Sequence, residues 1–205
     1  RLVFGREVAH DDPYVLSYKV QPGDSLSRIA SRNGLKTNWR LIQRINGISR
    51  PDRLRVGQTI KLVKGPFHAE VDKSGYRLDL YLGQGQSQVF VRSFAVGLGA
   101  FDSTPTGVFR VRPGSKLINP PWTNPRTGEY FEPDDPRNPI GEHWLGLEGI
   151  EARTKDLHGN GIHGTIEPSS IGACESMGCV RLLDDDVALL YETLTEGNST
   201  VAIRE

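Results

Sequence analysis

The segment from residue 163 to residue 182, HGTIEPSSIGACESMGCVRL, contains the residues best suited to chemistry. It begins with His163, one of five histidines, and holds both cysteines of the chain. Cys179 follows His163 by 16 residues. A cysteine is a nucleophile only as its thiolate, so it needs a nearby base or a positive environment. His163 is the natural base if the fold brings the two side chains together.

The residues around this pair suggest how such a site would work. An imidazole acts as a base in one tautomer, which an acceptor for its other nitrogen must hold. No carboxylate is adjacent to His163, but the backbone carbonyl of Gly164 can serve. Because Gly178 has no side chain, a substrate carbonyl can approach, and the amides of Gly178 and Cys179 can form an oxyanion hole. Arg181 provides a fixed charge suited to a substrate carboxylate.

The spacing alone leaves other interpretations open. Cys179 can be a buried structural residue, or it can form a disulfide with Cys174, which would silence the thiol in an oxidising compartment. A metal site made of His163 and the two cysteines would need a fourth ligand. We expect no metal and no cofactor.

Composition narrows the class of protein. The chain has 205 residues, no formal net charge and 37% hydrophobic residues, with 23 glycines and 13 prolines. Many turns and strands are typical of such a composition. Charge balance argues against nucleic-acid binding, which usually needs a basic face. No apolar run reaches the roughly 20 residues that cross a bilayer. Because the chain begins with Arg1 and shows no signal peptide, we expect a mature or trimmed product whose export signal has been removed.

The first third of the chain predicts a small module after a tail or interdomain strap over residues 1–13. Within residues 14–64 the pattern indicates a strand over Tyr18–Gln21, a turn, two helices and a final strand over Thr59–Val63. Asp24 is the expected N-cap of the first helix and Thr37 that of the second. Gly34 is placed to end the first helix. The predicted buried residues of the two helices are Leu26, Ile29 and Ala30, then Leu41, Ile42 and Ile45.

The rest of the chain, residues 65–205, predicts mainly strands. The segments FHAEVDK, YRLDLYL, SQVFVRSFAVGL and TPTGVFRVRP are strand-like and separated by turns. Residues 114–142 then form a long irregular segment, expected to be a functional lid. Trp122, Tyr130 and Trp144 are candidate walls for a substrate. Core packing is the alternative for all three, and it is the preferred expectation for Trp144. LLDDDVALLYETL predicts a helix, and STVAIRE predicts a closing strand.

The N-terminal module resembles the LysM family on the segments YKVQPGDSLSRIA, LIQRINGI and LRVGQTIKL. The resemblance covers the whole module and implies a βααβ fold that binds glycans containing N-acetylglucosamine. It places the sugar between the turn after the first strand and the loop after the second helix. The implied glycan-binding residues are Gly23, Asp24, Ser25 and Leu26, with Asn46, Gly47 and Ile48.

The second domain resembles the L,D-transpeptidase (YkuD-type) family through IHGT, SSIG and SMGCVRL. The resemblance covers about residues 66–205 and implies a β-sandwich with a helix near the C-terminus, so the whole chain is expected to be α+β. It implies Cys179 as nucleophile, His163 as base and Gly164 as the residue whose carbonyl orients the ring. Substrate-binding positions implied or expected here are Ser176, Arg181, Tyr130 and Met177. The family commonly has a histidine where this chain has Met177.

Together the two resemblances imply a cell-envelope enzyme that acts on peptidoglycan. Its partners would be glycan strands and stem peptides, and carbapenems, which acylate members of this family, would be ligands. Cross-linking would connect it to cell-wall biogenesis and cell shape. The alternatives are a catalytically silent wall-binding protein, an L,D-carboxypeptidase or stem-peptide hydrolase, and a coat or carrier protein.

Overall fold

A computed structural model describes residues 3–5, 7 and 12–205 of the chain. The α+β class is confirmed, since helices and a large sheet occur together. In the described part of the chain, no helix has the length and apolar character needed to cross a bilayer.

The N-terminal module has the predicted order strand, helix, helix, strand, but its first strand spans Val15–Lys19 instead of the predicted Tyr18–Gln21. Its elements are β1 (Val15–Lys19), α1 (Leu26–Arg32), α2 (Trp39–Asn46) and β2 (Thr59–Val63). The two strands pair antiparallel along their whole length. All six predicted apolar helix positions are buried. Gly34 has φ +61 just beyond α1, as predicted for a residue that ends a helix.

The prediction that Asp24 caps α1 is wrong. Ser25 is the N-cap, and its hydroxyl accepts a backbone hydrogen bond from the first turn. The Asp24 carboxylate is instead enclosed, accepting hydrogen bonds from Tyr18 Oη at 2.7 Å and from the Gln21 amide at 2.8 Å, and pairing with Arg32 at 3.0 Å. Asp24 and Ser25 are both suitable N-cap residues. The contacts of Asp24 outside the helix leave Ser25 as the cap.

The prediction that Thr37 caps α2 is also wrong. Asn38 is the N-cap, and its side chain accepts the Arg40 amide at 3.0 Å. The Thr37 hydroxyl is buried and donates to the carbonyl of Val63 at 3.0 Å. That contact holds the start of α2 against the end of β2.

The C-terminal body is built on one eight-stranded sheet of order β13-β11-β10-β7-β14-β3-β4-β5. Two small two-stranded sheets, β12-β6 and β8-β9, flank it. The elements are β3 (Phe67–Asp72), β4 (Arg77–Leu82), β5 (Val89–Ala95), β6 (Leu98–Gly99), β7 (Gly107–Ile118), β8 (Trp122–Thr123), β9 (Tyr130–Phe131), β10 (His143–Gly149), β11 (Gly161–His163), β12 (Cys174–Ser176), β13 (Val180–Arg181), α3 (Asp184–Thr193) and β14 (Thr200–Arg204). The predicted helix and closing strand correspond to α3 and β14.

The segment 114–142 is less irregular than predicted. Its start continues β7 to Ile118, and a ribbon of β8 and β9 lies within it. The register of β7 against β10 shifts between Leu145 and Leu147, so the residues around Pro113 and Gly114 bulge from the ladder. Proline and glycine therefore mark a bulge within a strand here, not its end.

The two domains share a hydrophobic core. Leu41 and Ile45, on one side of α2, belong to the same buried cluster as the strands of the large sheet, whereas Ile42 belongs to the module's own small core. The amide of Asn38 also donates to the carbonyl of Glu192 in α3 at 2.9 Å. The helix α2 thus packs inside its own module on one side and against the C-terminal body on the other.

Part of the predicted N-terminal strap is described. Residues 1, 2, 6 and 8–11 of that stretch lie outside the described residues. Val3 is buried in the shared core, and Phe4 stacks on Phe67 of β3 with ring centroids 6.3 Å apart. Lys61 Nζ donates to the carbonyls of Gly5 and Glu7 at 2.8 Å. The segment therefore contacts both domains.

Candidate active site

His163 is the last residue of β11, in the middle of three paired strands. It lies opposite Trp144 of the antiparallel β10 and beside Arg181 of the parallel β13. Only 4% of its surface is exposed. A short strand between two neighbours holds its backbone firmly, which gives the ring a defined position.

The backbone of the next residue orients the imidazole of His163. Nδ1 lies 2.6 Å from the carbonyl oxygen of Gly164. A carbonyl oxygen only accepts, so Nδ1 must carry the hydrogen and Nε2 keeps its lone pair. This tautomer is the one in which Nε2 can take a proton from a partner.

Burial keeps this imidazole neutral. It lowers the pKa of His163 to about 4, because the charged form loses its hydration. The hydrogen bond to Gly164 acts in the opposite direction, and the positive charge of Arg181 lowers the pKa further. At neutral pH the ring is therefore an unprotonated base.

Cys179 immediately precedes β13 and is partly accessible. Its thiol donates a weak hydrogen bond to the carbonyl of Gly159 over 3.6 Å. Burial raises the pKa of Cys179 to about 11, while a hydrogen bond from the Gly161 amide and the charge of Arg181 lower it. The resting thiol is therefore protonated, and the Gly161 amide and the Arg181 charge both favour a thiolate once it forms.

The turn before Cys179 is held by Ser176. Its buried hydroxyl donates to the carbonyl of Cys179 at 2.7 Å and accepts the amide of Gly178 at 3.1 Å. Gly178 has φ +121, a conformation that other residues rarely adopt. Ser176 thus stabilises the turn. The Gly178 amide, one of the two predicted oxyanion donors, already donates its hydrogen bond to Ser176.

Cys179 and His163 line one cavity of about 300 Å³. The lining combines apolar residues with polar and reactive groups. Its lining residues are Trp122, Pro125, Pro139, Ile140 and Trp144, then His158, Gly159, His163, Ser176, Met177, Cys179 and Arg181. A nucleophile, a base and an apolar wall around a shared space are the parts that acyl transfer requires.

The aromatic residues are arranged differently from expectation. Trp144 is not a core residue: it lines the cavity and stacks on His163, with centroids 5.7 Å apart and planes at 19°. Its approach depends on Gly161, where a β-carbon would lie 2.7 Å from the indole ring. Trp122 lines the cavity as expected. Tyr130, which follows on the same ribbon, is 52% exposed and lies outside that lining.

Arg181 and Met177 both reach the cavity, as the sequence suggested. The Nε of Arg181 is buried and has no hydrogen-bond partner within the described residues. A buried unpaired donor is costly, and an acidic group in the cavity would satisfy it.

His158 is a cavity residue that the sequence analysis missed. It lies on the exposed loop before β11 and reaches the cavity beside Gly159. The only available signal was its position five residues before His163, in HGNGIHGT. His158 therefore provides an imidazole in a cavity where Met177 stands in place of the histidine that is common in the family.

The two cysteines lie in different surroundings. Cys174 and Cys179 are both free thiols. Cys174 is exposed, and its sulfur lies 3.3 Å from the hydroxyl of Tyr76. Across residues 3–5, 7 and 12–205 no cluster of histidine, cysteine and acidic side chains is arranged to hold a metal ion.

Comparison with known proteins places this arrangement in a family. A family model described as the L,D-transpeptidase catalytic domain, YkuD, matches residues 66–203. The chain belongs to the YkuD family of L,D-transpeptidases. A second model, the LysM domain, matches residues 18–63. The order is therefore a LysM domain followed by a YkuD domain.

One of the relatives extends the likeness over nearly the whole chain. A Bacillus licheniformis protein, provisionally named L,D-transpeptidase YkuD, is 28% identical over 191 residues, which are 89% of this chain and 96% of that protein. A Bacillus subtilis protein, provisionally named L,D-transpeptidase YqjB, is 34% identical over 105 residues, 51% of this chain and 54% of its own. A solved L,D-transpeptidase of Mycobacterium tuberculosis H37Rv covers 93% of this chain and 90% of its own, with a TM-score of 0.48 and 11% identity.

Several predicted glycan-binding side chains of the LysM domain are used inside it. Besides Asp24, Leu26 is buried in the small core, and the amide of Asn46 bonds to the backbone of Ile42 and Lys61. Ser25 is the N-cap of α1. A sugar contact at these positions would therefore use backbone groups.

The remaining predicted glycan-binding positions are glycines and an apolar residue on the surface. Gly23 is exposed with φ +79, in the turn after β1. Gly47 and Ile48, after α2, line an open surface cavity that also includes Arg40 of α2 and Glu192 of the YkuD domain. The loop after α2 of the LysM domain thus faces the boundary between the two domains.

Proposed function

We propose that this protein is a peptidoglycan L,D-transpeptidase whose nucleophile is Cys179 and whose base is His163. The observation that carries the proposal is that both side chains line one cavity while Gly164 holds Nδ1 of the imidazole. This leaves Nε2 free to take the thiol proton. The sequence order, histidine before cysteine, is that of the YkuD motif.

The first step transfers an acyl group to the enzyme. Cys179 Sγ attacks the carbonyl between the third residue of a stem tetrapeptide and its terminal D-Ala, while His163 takes the thiol proton. The oxyanion that forms is held by the amide of Cys179, and by that of Gly178 if Ser176 releases it. His163 then gives its proton to the departing D-Ala amine, and a thioester remains.

The second step transfers the acyl group to an acceptor. The side-chain amine of a diamino acid on a neighbouring stem attacks the thioester, and His163 removes a proton from that amine. The C–S bond breaks, the thiol is restored and a 3→3 cross-link is formed. If water attacks the thioester in place of the amine, the product is a tripeptide stem, and the enzyme is an L,D-carboxypeptidase.

The protonation states favour general-base catalysis over a preformed ion pair. The pKa of His163 is about 4 and that of Cys179 about 11, so both groups are neutral before substrate binds. Proton transfer therefore accompanies attack on the carbonyl. The Gly161 amide and Arg181 favour the thiolate as it develops.

Substrate recognition follows from the walls of the cavity. Arg181, whose Nε has no hydrogen-bond partner among the described residues, is suited to a stem-peptide carboxylate, because guanidinium groups bind carboxylates through two hydrogen bonds. Trp122 and Trp144 would cover the apolar part of the donor peptide. Met177 would contact the substrate without exchanging a proton, and Tyr130 would act from the rim.

The LysM domain would anchor the enzyme to glycan strands that carry the stems. Binding through the turn at Gly23 and the loop at Gly47 and Ile48 would keep the catalytic cavity near its substrate. Such tethering raises the effective substrate concentration without new contacts at the reacting atoms. The protein would then act in the cell envelope, with peptidoglycan as its partner.

The decisive test is the intact mass of the protein after incubation with a carbapenem. We expect one covalent adduct on the parent chain and on Cys174→Ser, and none on Cys179→Ala. Cys174→Ser is the matched control, because it removes the other thiol and leaves the cavity intact. An unmodified parent chain that still binds purified peptidoglycan would favour the silent wall-binding alternative.

A second assay separates the acceptors. The protein is incubated with a disaccharide-tetrapeptide, and the products are analysed by mass spectrometry. A dimer that has lost one D-Ala indicates cross-linking, whereas only monomeric tripeptide indicates carboxypeptidase activity. If a carbapenem acylates the chain but neither product forms, the donor is not a tetrapeptide.

A further inference from the structure

Gly164 lacks a side chain for a spatial reason. Its backbone does not have a positive φ, so its conformation does not require glycine. A β-carbon placed there would lie 2.5 Å from Oδ1 of Asp184, the first residue of α3. A β-carbon on Gly141 would lie 2.9 Å from the same oxygen. The carboxylate of Asp184 therefore lies in a notch that two glycines leave open.

The peptide group between Gly164 and Thr165 connects this carboxylate to His163. Its N–H, that of Thr165, faces the carboxylate of Asp184 and acts to lower the pKa of that group, against the larger effect of burial. Its carbonyl, that of Gly164, accepts the Nδ1 hydrogen of His163 at 2.6 Å. The preceding amide, that of Gly164, donates to the carbonyl of His143 over 3.3 Å. Because a peptide group is planar, a bond that holds its N–H also fixes the direction of its carbonyl.

We propose that Asp184 is a positioning residue for His163, acting through the Gly164–Thr165 peptide. It holds the peptide plane so that the Gly164 carbonyl points at Nδ1, and thereby fixes the tautomer in which Nε2 is the base. Histidine bases usually have such an orienting acceptor, often a carboxylate in direct contact. Here the carboxylate is one peptide group away.

The surroundings separate this role from a general effect of charge at a helix end. Asp184, Asp185 and Asp186 all lie in the first turn of α3, where acidic residues interact favourably with the helix dipole. Asp186 pairs with Arg92 at 3.2 Å. Only Asp184 lies against Gly164, so Asp185 is a matched control.

Other titratable groups also face this arrangement. His143 of β10 and Asp185 act on Asp184 through their charges. Arg181 acts on His163 from β13, and Cys179 and His158 share its cavity. All variants are therefore compared at one pH, so that a change in His163 reports on the substitution at position 184.

The first experiment reads the His163 ring directly, by ¹⁵N chemical shifts of the histidine side chains in the full chain at neutral pH. A His163→Gln variant identifies the signals. We expect a single Nδ1–H tautomer in the parent protein and in Asp185→Ala, and a mixture of tautomers in Asp184→Ala. Asp184→Asn retains an acceptor oxygen and should restore the single tautomer. An unchanged His163 spectrum in Asp184→Ala would overturn the proposal.

The second experiment measures acylation of Cys179 by a carbapenem, and this consequence rests on the proposed function. Asp184→Ala should slow acylation about 10-fold through misplacement of the base, and Asp184→Asn should recover most of the rate. An equal loss in Asp185→Ala would indicate a helix-end effect and refute the role of Asp184. If the parent chain is not acylated, the proposed function fails, and the tautomer experiment still decides the role of Asp184.

A double-mutant cycle tests the route through the peptide. Gly164→Ala places its β-carbon against Oδ1 of Asp184, so it should disturb the same contact and give a mixture of His163 tautomers. In an Asp184→Ala background that contact is already lost, so Gly164→Ala should add little. Additive effects of the two changes would mean that the two residues act separately, against the proposal.

Discussion

Arg44 of the LysM domain and Glu192 of the YkuD domain form a two-point ion pair across the domain boundary. Nε lies 2.5 Å from Oε2, and Nη2 lies 2.9 Å from Oε1. The side chain of Glu192 is 10% exposed and that of Arg44 42%. Next to this pair, Leu41 and Ile45 of the LysM domain enter the shared core. The LysM domain is thus fixed on the YkuD domain, not tethered by a loose linker.

Loss of Arg44 should therefore destabilise the protein more than loss of a surface arginine. Arg44→Ala leaves the nearly buried Glu192 carboxylate without its partner, and we expect the free energy of unfolding to fall by about 1–2 kcal/mol. Arg50, whose pair with Asp52 is 59% exposed on both sides, is the control. Arg50→Ala should cost about 0.5 kcal/mol or less. Urea unfolding measures both, and equal losses would contradict the prediction.

Acylation of Cys179 should persist to unusually low pH. Only neutral His163 accepts the thiol proton, and its pKa is lowered from 6.5 to about 4. The rate constant should therefore change little as the pH falls through 6.5, and should decline near pH 4. Single-turnover acylation by a carbapenem, followed against pH, measures this. A midpoint near 6.5 would mean that the ring is hydrated in the working enzyme.

The same group makes stability depend on pH. The unfolded chain binds a proton at His163 near pH 6.5, whereas the folded chain binds it only near pH 4. The contribution of His163 to folding is therefore complete above pH 6.5 and is lost as the pH falls towards 4. Unfolding free energies at several pH values should show this slope in the parent chain and a smaller one in His163→Gln. Equal slopes would show that His163 is not the group responsible.

Iodoacetamide and a carbapenem should modify different cysteines. With its pKa raised to about 11, Cys179 is only about 10⁻⁴ thiolate at pH 7, so iodoacetamide should modify the exposed Cys174 first. A carbapenem, which engages the cavity, should modify only Cys179. Both cysteines lie between Lys155 and Arg181 in one tryptic peptide, so intact masses of Cys174→Ser and Cys179→Ala give the assignment. Faster alkylation of Cys179 would indicate a preformed thiolate.

The contact of Trp144 with His163 should increase the rate of Cys179 acylation. Trp144→Ala removes the ring stacked on the imidazole and opens the cavity to water, so acylation should slow by about 10-fold. Trp144→Phe keeps a flat apolar surface and should lose less. Trp122→Ala removes a cavity tryptophan that stacks on Phe131 and not on His163, so it should weaken carbapenem binding but lower the maximal acylation rate less. Equal rates for Trp144→Ala and the parent would remove the ring from any role in holding the base.

Much of the local structure could be predicted because it depends on local pattern. The buried positions of α1 and α2 and the alternating strands of the body follow hydrophobic periodicity. Helix caps could not be predicted as well. Asp24 and Thr37 are good caps in isolation, but Asp24 bonds to Tyr18 and Arg32, and Thr37 bonds to Val63. These partners come from outside the helix, so a local pattern does not show them.

The sequence by itself determined which residues can react and the order of the elements that carry them. It supplied a thiol, an imidazole and glycines at turns, and two family resemblances that named their roles. Only the tertiary structure decided that Trp144 covers His163, that His158 reaches the cavity and that Asp184 lies against Gly164. Arg44 and Glu192 are 148 positions apart in the chain. Periodicity specifies the type and the buried face of each element, whereas contacts between distant elements depend on how those faces pack together.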